Sequence, residues 1–423
     1  MTNFLLPINA ELHINATSSI MRDSICLFIL FLGIGINWWL PEKKRKNFQL
    51  LCGVLILFFI CGFAYASTLI AFILTSYYFF HGKYNKYSRY FPILVLPVFA
   101  VLNFPHISFL IISVQWLKLY AYLIDLNDEL ISAKNSQREF LLYFFLPPFL
   151  PSLLSGVFLT IFPSQLNGTY QKTPHISFLK NGIYLILLSF IYKNFIPILS
   201  LFSIEFNAPT IRSLLIAVSQ NRIISPQTLW YSVIMEQINF FLLFAAILHF
   251  RIGLLNLFGY QLVANFNKPW LSIGFADLWI RISFYYRNFL LRAIFSRVIF
   301  FFKKTPENLR VFYTILLTAG MGNFFIHLYY DLLRENRIET LKISFKSWPY
   351  FLLLSILISL TFFGSSFRTK KREHWKFNNN IFLDIFWAVL TVSIFCLIHV
   401  FARHSEHTTI SHSLHLLKIA FFL

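Results

Sequence analysis

Ionisable and amide side chains inside long apolar runs are where this chain could do chemistry, because a charge or an unpaired polar group is expensive in hydrocarbon. Four places meet that description: Asp125 at the end of an apolar stretch, Glu236 with Gln237 and Asn239, His249 with Arg251, and Asn323 with His327. In the last pair the spacing puts both side chains on one face of a helix. A neutral imidazole there can take a proton from an attacking hydroxyl while the amide holds a carbonyl oxygen, which is the division of labour that acyl transfer from a thioester needs. The run Thr318-Ala319-Gly320-Met321-Gly322 precedes them, and its two glycines thin the helix so that a neighbour or a substrate chain can approach closely. The competing reading is structural: a lone histidine in a span often just bonds an adjacent helix, and Glu236, Gln237 and Asn239 fit interhelical bonding as well as a proton or ion path.

The elements that must hold these residues are transmembrane helices. The chain is 57% hydrophobic and 13% charged, with apolar segments at 24–40, 182–200, 229–248, 311–330, 350–367 and 381–402 that approach the roughly 20 residues a spanning helix requires. Period-two alternation is missing, so helices rather than a barrel satisfy the backbone. The expected fold is all-α, a polytopic bundle of about 10–12 spans with interfacial or re-entrant helices. It forms a single membrane domain over 1–423, with N-terminal helices at 24–112, a core at 113–335, and C-terminal helices and a tail at 345–423.

The formal charge of +19 does not point to nucleic acid, since no aromatic-basic module accompanies it. Lys and Arg gather instead in what read as short loops beside the spans, at 43–46, 83–89 and 368–372, the positive-inside pattern. Arg22 precedes a first span without a small-residue cleavage site, which reads as an uncleaved anchor. Cys26, Cys52, Cys61 and Cys396 lie in apolar runs without metal or disulfide spacing. No metal site is expected at His404, His407, His412 and His415 either, and a solvated or interfacial tail is the preferred reading of that segment. Asn15 and Asn167 head short glycosylation-like triplets that carry little information.

Four stretches are not simple spans. Residues 50–80 are flanked by positive charge at both ends and fit two short passes better than one long one. Residues 140–162 are broken by Pro147, Pro148 and Pro151. Segments 203–227 and 265–304 mix apolar with polar residues; the second carries Trp270, Trp279, Tyr285 and Tyr286 among Arg281, Arg287, Arg292 and Arg297, and reads as a helix in the headgroup layer or one packed re-entrantly.

Asn265-Phe266-Asn267-Lys268-Pro269-Trp270, followed by Asp277-Leu278-Trp279-Ile280-Arg281, resembles the stretch of the membrane-bound O-acyltransferases in which an Asn-Phe and Pro turn precedes an acidic, aromatic, Trp-Arg-Arg helix. Arg287-Asn288-Phe289 is similar to the Arg-Asp-Tyr that follows it in that family. Upstream, Trp116 through Tyr122-Leu123-Ile124-Asp125 resembles a family helix end, and the Ala319-Gly320 helix takes the place of the family's Ser-Gly-Leu-Trp-His-Gly helix. These regions keep the family order from Trp116 to Asp331, so 113–335 would be an acyltransferase-like core.

The resemblance implies a helix bundle around a central tunnel, in the inner membrane of a bacterium, where a thioester donor meets an acceptor hydroxyl. The donor would be acyl-CoA or an acyl carrier protein, and the acceptor a glycan, lipid or secondary metabolite; no bound cofactor is implied. Asn323 stands at the position of the family's tunnel histidine, with His327 one turn later, and no His follows Trp279. Either His327 has taken over the base role, with Asn323 orienting substrate, or catalysis is lost and the chain binds or moves a lipid or polyprenyl-linked glycan. Their shared face favours the first. Lys268, Trp279, Arg281, Arg287, Asn288 and Asp125 would then bind substrate, with Lys268, Arg281 and Arg287 meeting a phosphate-bearing donor. Asp125, if buried, would pair with a basic residue such as Arg281.

Overall fold

The computed structural model describes residues 16–82, 86–101, 106–131, 136–146, 161–171, 176–202, 208–335, 338–372 and 381–421. Every regular element among them is helical, apart from one isolated bridge between Tyr170 and Tyr260. Among the described residues six helical stretches are long and apolar enough to cross a membrane: Phe63–His81, Leu179–Leu201, Pro226–Leu257, Glu307–Tyr329, Leu341–Phe363 and Phe382–Ala402. The chain is an integral membrane protein of the all-α, polytopic kind. Asn15, Lys83, Asn103, Pro147, Pro148, Pro151, Glu205 and Asn207 lie outside the described residues.

Local chemistry accounts for several boundaries. The 50–80 stretch divides at Gly62, whose φ of 76° is open to glycine, giving the helices Glu42–Cys61 and Phe63–His81. Two of the basic runs, 43–46 and 368–372, are not loops. Lys43 to Arg45 and Lys46 form the first turns of Glu42–Cys61, and 368–372 completes the Trp348–Arg372 helix, so these charges ride on helix ends. There the Arg45 guanidinium lies 4.9 Å from the Trp38 ring centre, and Lys46 pairs with Glu139 at 3.2 Å.

The chain forms two compact units. One comprises Met1–Phe190, Ala246–Ala264 and Leu333–Asn336, the other Ile191–Ala245, Asn265–Leu332 and Arg337–Leu423. In the first unit, buried polar groups join helices that are far apart in sequence. Gln49 donates to Asn37 Oδ1 (2.8 Å) and to the Phe258 carbonyl (3.0 Å), and accepts from the Tyr260 hydroxyl (3.0 Å). The Lys118 ammonium donates to the carbonyls of Phe144 (2.8 Å) and Tyr143 (3.2 Å), at the end of the Gln137–Phe145 helix. Gly182 and Gly253 allow a backbone-to-backbone crossing: a Cβ on either would lie 2.9 Å or 2.8 Å from the other's carbonyl oxygen.

In the second unit the C-terminal segment is not a solvated tail. Helix Ile410–Ala420 seats Leu416 and Ala420 among Ile211, Leu215, Leu229, Val233 and Val400. The Lys346 ammonium donates to the carbonyls of Ser405 (3.0 Å), Glu406 (3.1 Å) and Thr408 (2.7 Å). Arg403 meets Glu236 at 2.6 Å, and the other Glu236 oxygen accepts the Ile211 N–H (2.7 Å) at the start of helix Ile211–Ser219. The four histidines of this segment do not converge: His404 is buried, His412 half-buried, and His407 and His415 are exposed.

Two outcomes follow from this packing. Gly182→Ala should lower the unfolding midpoint in detergent, since the added methyl meets backbone, at a cost of about 1–3 kcal/mol. Gly35→Ala, where a Cβ meets nothing within 4 Å, should hold or raise the midpoint. The second outcome concerns His404, which burial, with Lys346 and then His412 adding to it, moves from its ordinary 6.5 to about 4. A base kept neutral by the fold stabilises it above pH 6.5, and that contribution disappears as pH falls towards 4. Wild type should therefore lose more stability than His404→Asn between these pH values, by up to ~3 kcal/mol; parallel curves would remove His404 as the cause.

Candidate active site

The site lies within the second unit and begins with a turn. Asn265-Phe266-Asn267 runs beside the end of helix Phe275–Ile282 and the start of helix Phe284–Leu290. The Asn265 backbone carbonyl accepts the Phe284 N–H (3.0 Å), its side-chain Oδ1 accepts the Tyr285 N–H (2.8 Å), and Asn267 N–H donates to the Arg281 carbonyl (2.9 Å). One buried asparagine thus meets two N–H groups that the short helix leaves without internal partners. Lys268 turns the chain with φ of 45°, and Pro269 begins the next turn. The segment is therefore several short helices rather than one interfacial helix.

Helix Phe284–Leu290 carries Tyr286 and continues into a π-helical turn, Leu291–Phe295. A second π-helical stretch, Leu316–Gly322, lies inside the Glu307–Tyr329 span and ends where Asn323 begins an α-helix. The two π segments touch: a Cβ on Gly322 would collide with the Ile294 side chain, and one on Gly320 would lie 2.6 Å from Ser355 Oγ. Both glycines are therefore used for protein packing. π-Turns are rare and concentrate at functional sites.

This arrangement gathers Asn323 and His327 around Tyr286. The Tyr286 hydroxyl donates to Asn323 Oδ1 at 2.8 Å, and both residues are buried. The Tyr286 ring meets the His327 ring edge-on at 6.0 Å, and the Phe351 ring lies 5.1 Å from His327 on the Trp348–Arg372 helix. His327 is half-buried. Burial raises the Tyr286 phenol above its ordinary range, so it stays protonated and donates. Chemically the cluster offers an amide, an imidazole and a neutral phenol in an apolar wall.

The other expected residues fall elsewhere. Arg281 is bound to Asp277 four residues back, its Nε at 2.8 and 2.9 Å from the two carboxylate oxygens, which corrects the expected pairing with Asp125. Asp125 is fully buried in the first unit, where one of its oxygens accepts the Ser164 N–H (2.7 Å) in the first turn of helix Pro163–Thr169. Arg287 donates to Asn288 Oδ1 (2.8 Å) and lies over the Phe284 ring at 5.2 Å, and burial lowers its pKa. Trp279 is half-buried and Lys268 exposed. Glu236 is engaged by Arg403 and Ile211, and Asn239 is exposed. Among the described residues no group of three or more His, Cys, Asp or Glu side chains could hold a metal.

The class that emerges is an integral membrane helix bundle in which Asn323 and His327, inside a span, meet Tyr286 from a neighbouring short helix. The chain is 26% identical over 289 residues to a teichoic acid D-alanyltransferase of Bacillus subtilis (strain 168). The match covers 66% of this chain and 63% of that protein, so the chain spans less than two thirds of the relative's length. No family model matches.

Asn265→Ala should lower the unfolding midpoint by the equivalent of about 1–2 kcal/mol, the scale of losing a helix cap. Asp277→Asn, which breaks a partly exposed ion pair, should cost about 0–1 kcal/mol. The reverse order would show that the turn is not what holds the helix carrying Tyr286.

Proposed function

We propose that the chain is a membrane-bound O-acyltransferase of a divergent branch, moving an acyl group from a thioester donor to a hydroxyl. The observation that carries this is the meeting of Tyr286 with Asn323 and His327, the last two on the helix that resembles the family's histidine helix, in a chain similar to a transferase. The hydroxyl oxygen attacks the thioester carbonyl carbon while a His327 ring nitrogen takes the hydroxyl proton. The carbonyl π electrons move onto oxygen, and an Asn323 N–H donates to the resulting oxyanion. Collapse re-forms the C=O, breaks the C–S bond, and returns the proton from His327 to the departing thiolate, leaving ester and thiol.

Acyl-CoA or an acyl carrier protein is the donor in this proposal, and a glycan, lipid or secondary metabolite the acceptor, in a bacterial inner membrane. The relative's name makes D-alanyl an acyl group to try beside acetyl. Lys268 and Arg287 remain candidates for a phosphate-bearing donor. Arg281 would first have to share its guanidinium with Asp277. The family's tunnel, within the 113–335 core, would bring the two substrates together.

A second reading, a non-catalytic protein that binds or moves a lipid or lipid-linked glycan, is favoured by Asn323 at the family's histidine position. The two are separated by membranes containing wild type, His327→Ala or Asn323→Ala at matched levels, supplied with radiolabelled acetyl or D-alanyl thioesters of CoA and of carrier protein. The acyltransferase predicts acceptor labelling that His327→Ala abolishes and Asn323→Ala lowers by about 10²–10³-fold. Full labelling by His327→Ala would remove the base, and no labelling by wild type with any donor would favour the second reading.

A further inference from the structure

An amide side chain has two different ends, and what occupies one decides which faces a ligand. Asn323 uses Oδ1 to accept the Tyr286 hydroxyl at 2.8 Å, and among the described residues that is the one hydrogen bond its side chain makes. A phenol hydroxyl has a single proton to give, and Tyr286 gives it to an oxygen. The Nδ2 end, which carries two protons, is thereby left for something outside the chain.

We infer that Tyr286 is a positioning residue that locks the Asn323 amide with its N–H end presented, making Asn323 a dedicated donor to a carbonyl or oxyanion and never a base. This rests on the acyltransferase reading and deepens it by dividing the roles: His327 moves the proton, Asn323 holds the charge, and Tyr286 touches neither substrate. Without the phenol hydroxyl the amide can rotate by half a turn and offer its oxygen, which repels a developing oxyanion.

The surroundings fit a rigid support. Tyr286 sits on a helix whose first N–H groups are held by Asn265, and Asn323 begins an α-helix directly after the π segment that packs on Ile294. The edge-on contact between Tyr286 and His327 uses the ring rather than the hydroxyl. Phe at 286 keeps that contact and deletes the hydrogen bond to Asn323, so comparing the substitution with and without Asn323 isolates the orienting effect.

The test is a double-mutant cycle on full-length protein in lipid vesicles, using wild type, Tyr286→Phe, Asn323→Ala and the double variant, with kcat, KM and the pH profile measured from the labelled thioester that wild type uses best. Tyr286→Phe should lower kcat by about 10–100-fold, the scale of a misplaced catalytic group, with KM and the shape of the pH profile unchanged. In the Asn323→Ala background the same change should have no further effect. Multiplying losses, an unchanged kcat, or a pH profile that loses a limb would overturn the inference while leaving the acyltransferase reading intact. No transfer by wild type would overturn the acyltransferase reading and, with it, any catalytic use of the oriented amide. The unfolding midpoints of the same four proteins form a second cycle that needs no activity, and additive shifts there would mean the two side chains are not bonded at all.

Discussion

Hydrocarbon offers no water to a backbone N–H or C=O, and the rest of this structure depends on that constraint. Helices satisfy their own interiors but leave groups unpaired at each end, and this chain spends many of its buried polar side chains on those ends. Asn265 serves the first N–H groups of Phe284–Leu290, Asp125 the start of Pro163–Thr169, and Glu236 the start of Ile211–Ser219. Lys118 serves the last carbonyls of Gln137–Phe145, and Lys346 serves carbonyls in the turn before the C-terminal helix. A polar residue in an apolar run is thus more often a helix terminator's partner than a reagent. Asn323 differs because its side chain serves no helix end: its Oδ1 accepts from the Tyr286 hydroxyl.

Much of the fold was legible for the same reason. Long apolar runs without period-two alternation admit only helices, and five of the six apolar segments named from sequence overlap helices long enough to span; the exception, 24–40, matches the shorter Ile25–Trp39. Position along a helix was harder to read. The Lys43 to Lys46 and 368–372 runs look like loops because they are charged, yet they are helical, since a lysine-rich turn at the membrane edge costs a helix little. The histidine-rich tail reads as solvated or interfacial; it is not free in solvent, because the apolar stripe of Ile410–Ala420 has a complementary surface on Ile211–Ser219 that no local pattern announces.

The site was half legible. Spacing put Asn323 and His327 on one face, and both do meet the same neighbour. The pairing of Asp125 with Arg281 was wrong because Arg281 has a carboxylate four residues away on its own helix, Asp277, and a local partner is entropically easier to hold than a distant one. Tyr286 escaped because a tyrosine among tryptophans and arginines reads as a headgroup anchor. Only the fold turns its hydroxyl towards Asn323, and the one sequence signal was that a buried amide must bond something.

The π segment at Leu316–Gly322 also bears on the asparagine that stands where the family the chain resembles has a histidine. Residue counting across a motif assumes that each residue advances the helix by about 100°. A π-helix closes its hydrogen bonds one residue later, so a stretch of it lags the α-helical count by on the order of one residue's rotation. Asn323 stands at the family position by count, but the count runs through a segment where number and direction no longer agree. Direction is set instead by what the side chains meet, and past the π segment the helix is regular, so Asn323 and His327 turn to Tyr286 together. Substitution at one numbered position therefore says less about loss of a base than the presence of an imidazole one turn on, against the same phenol.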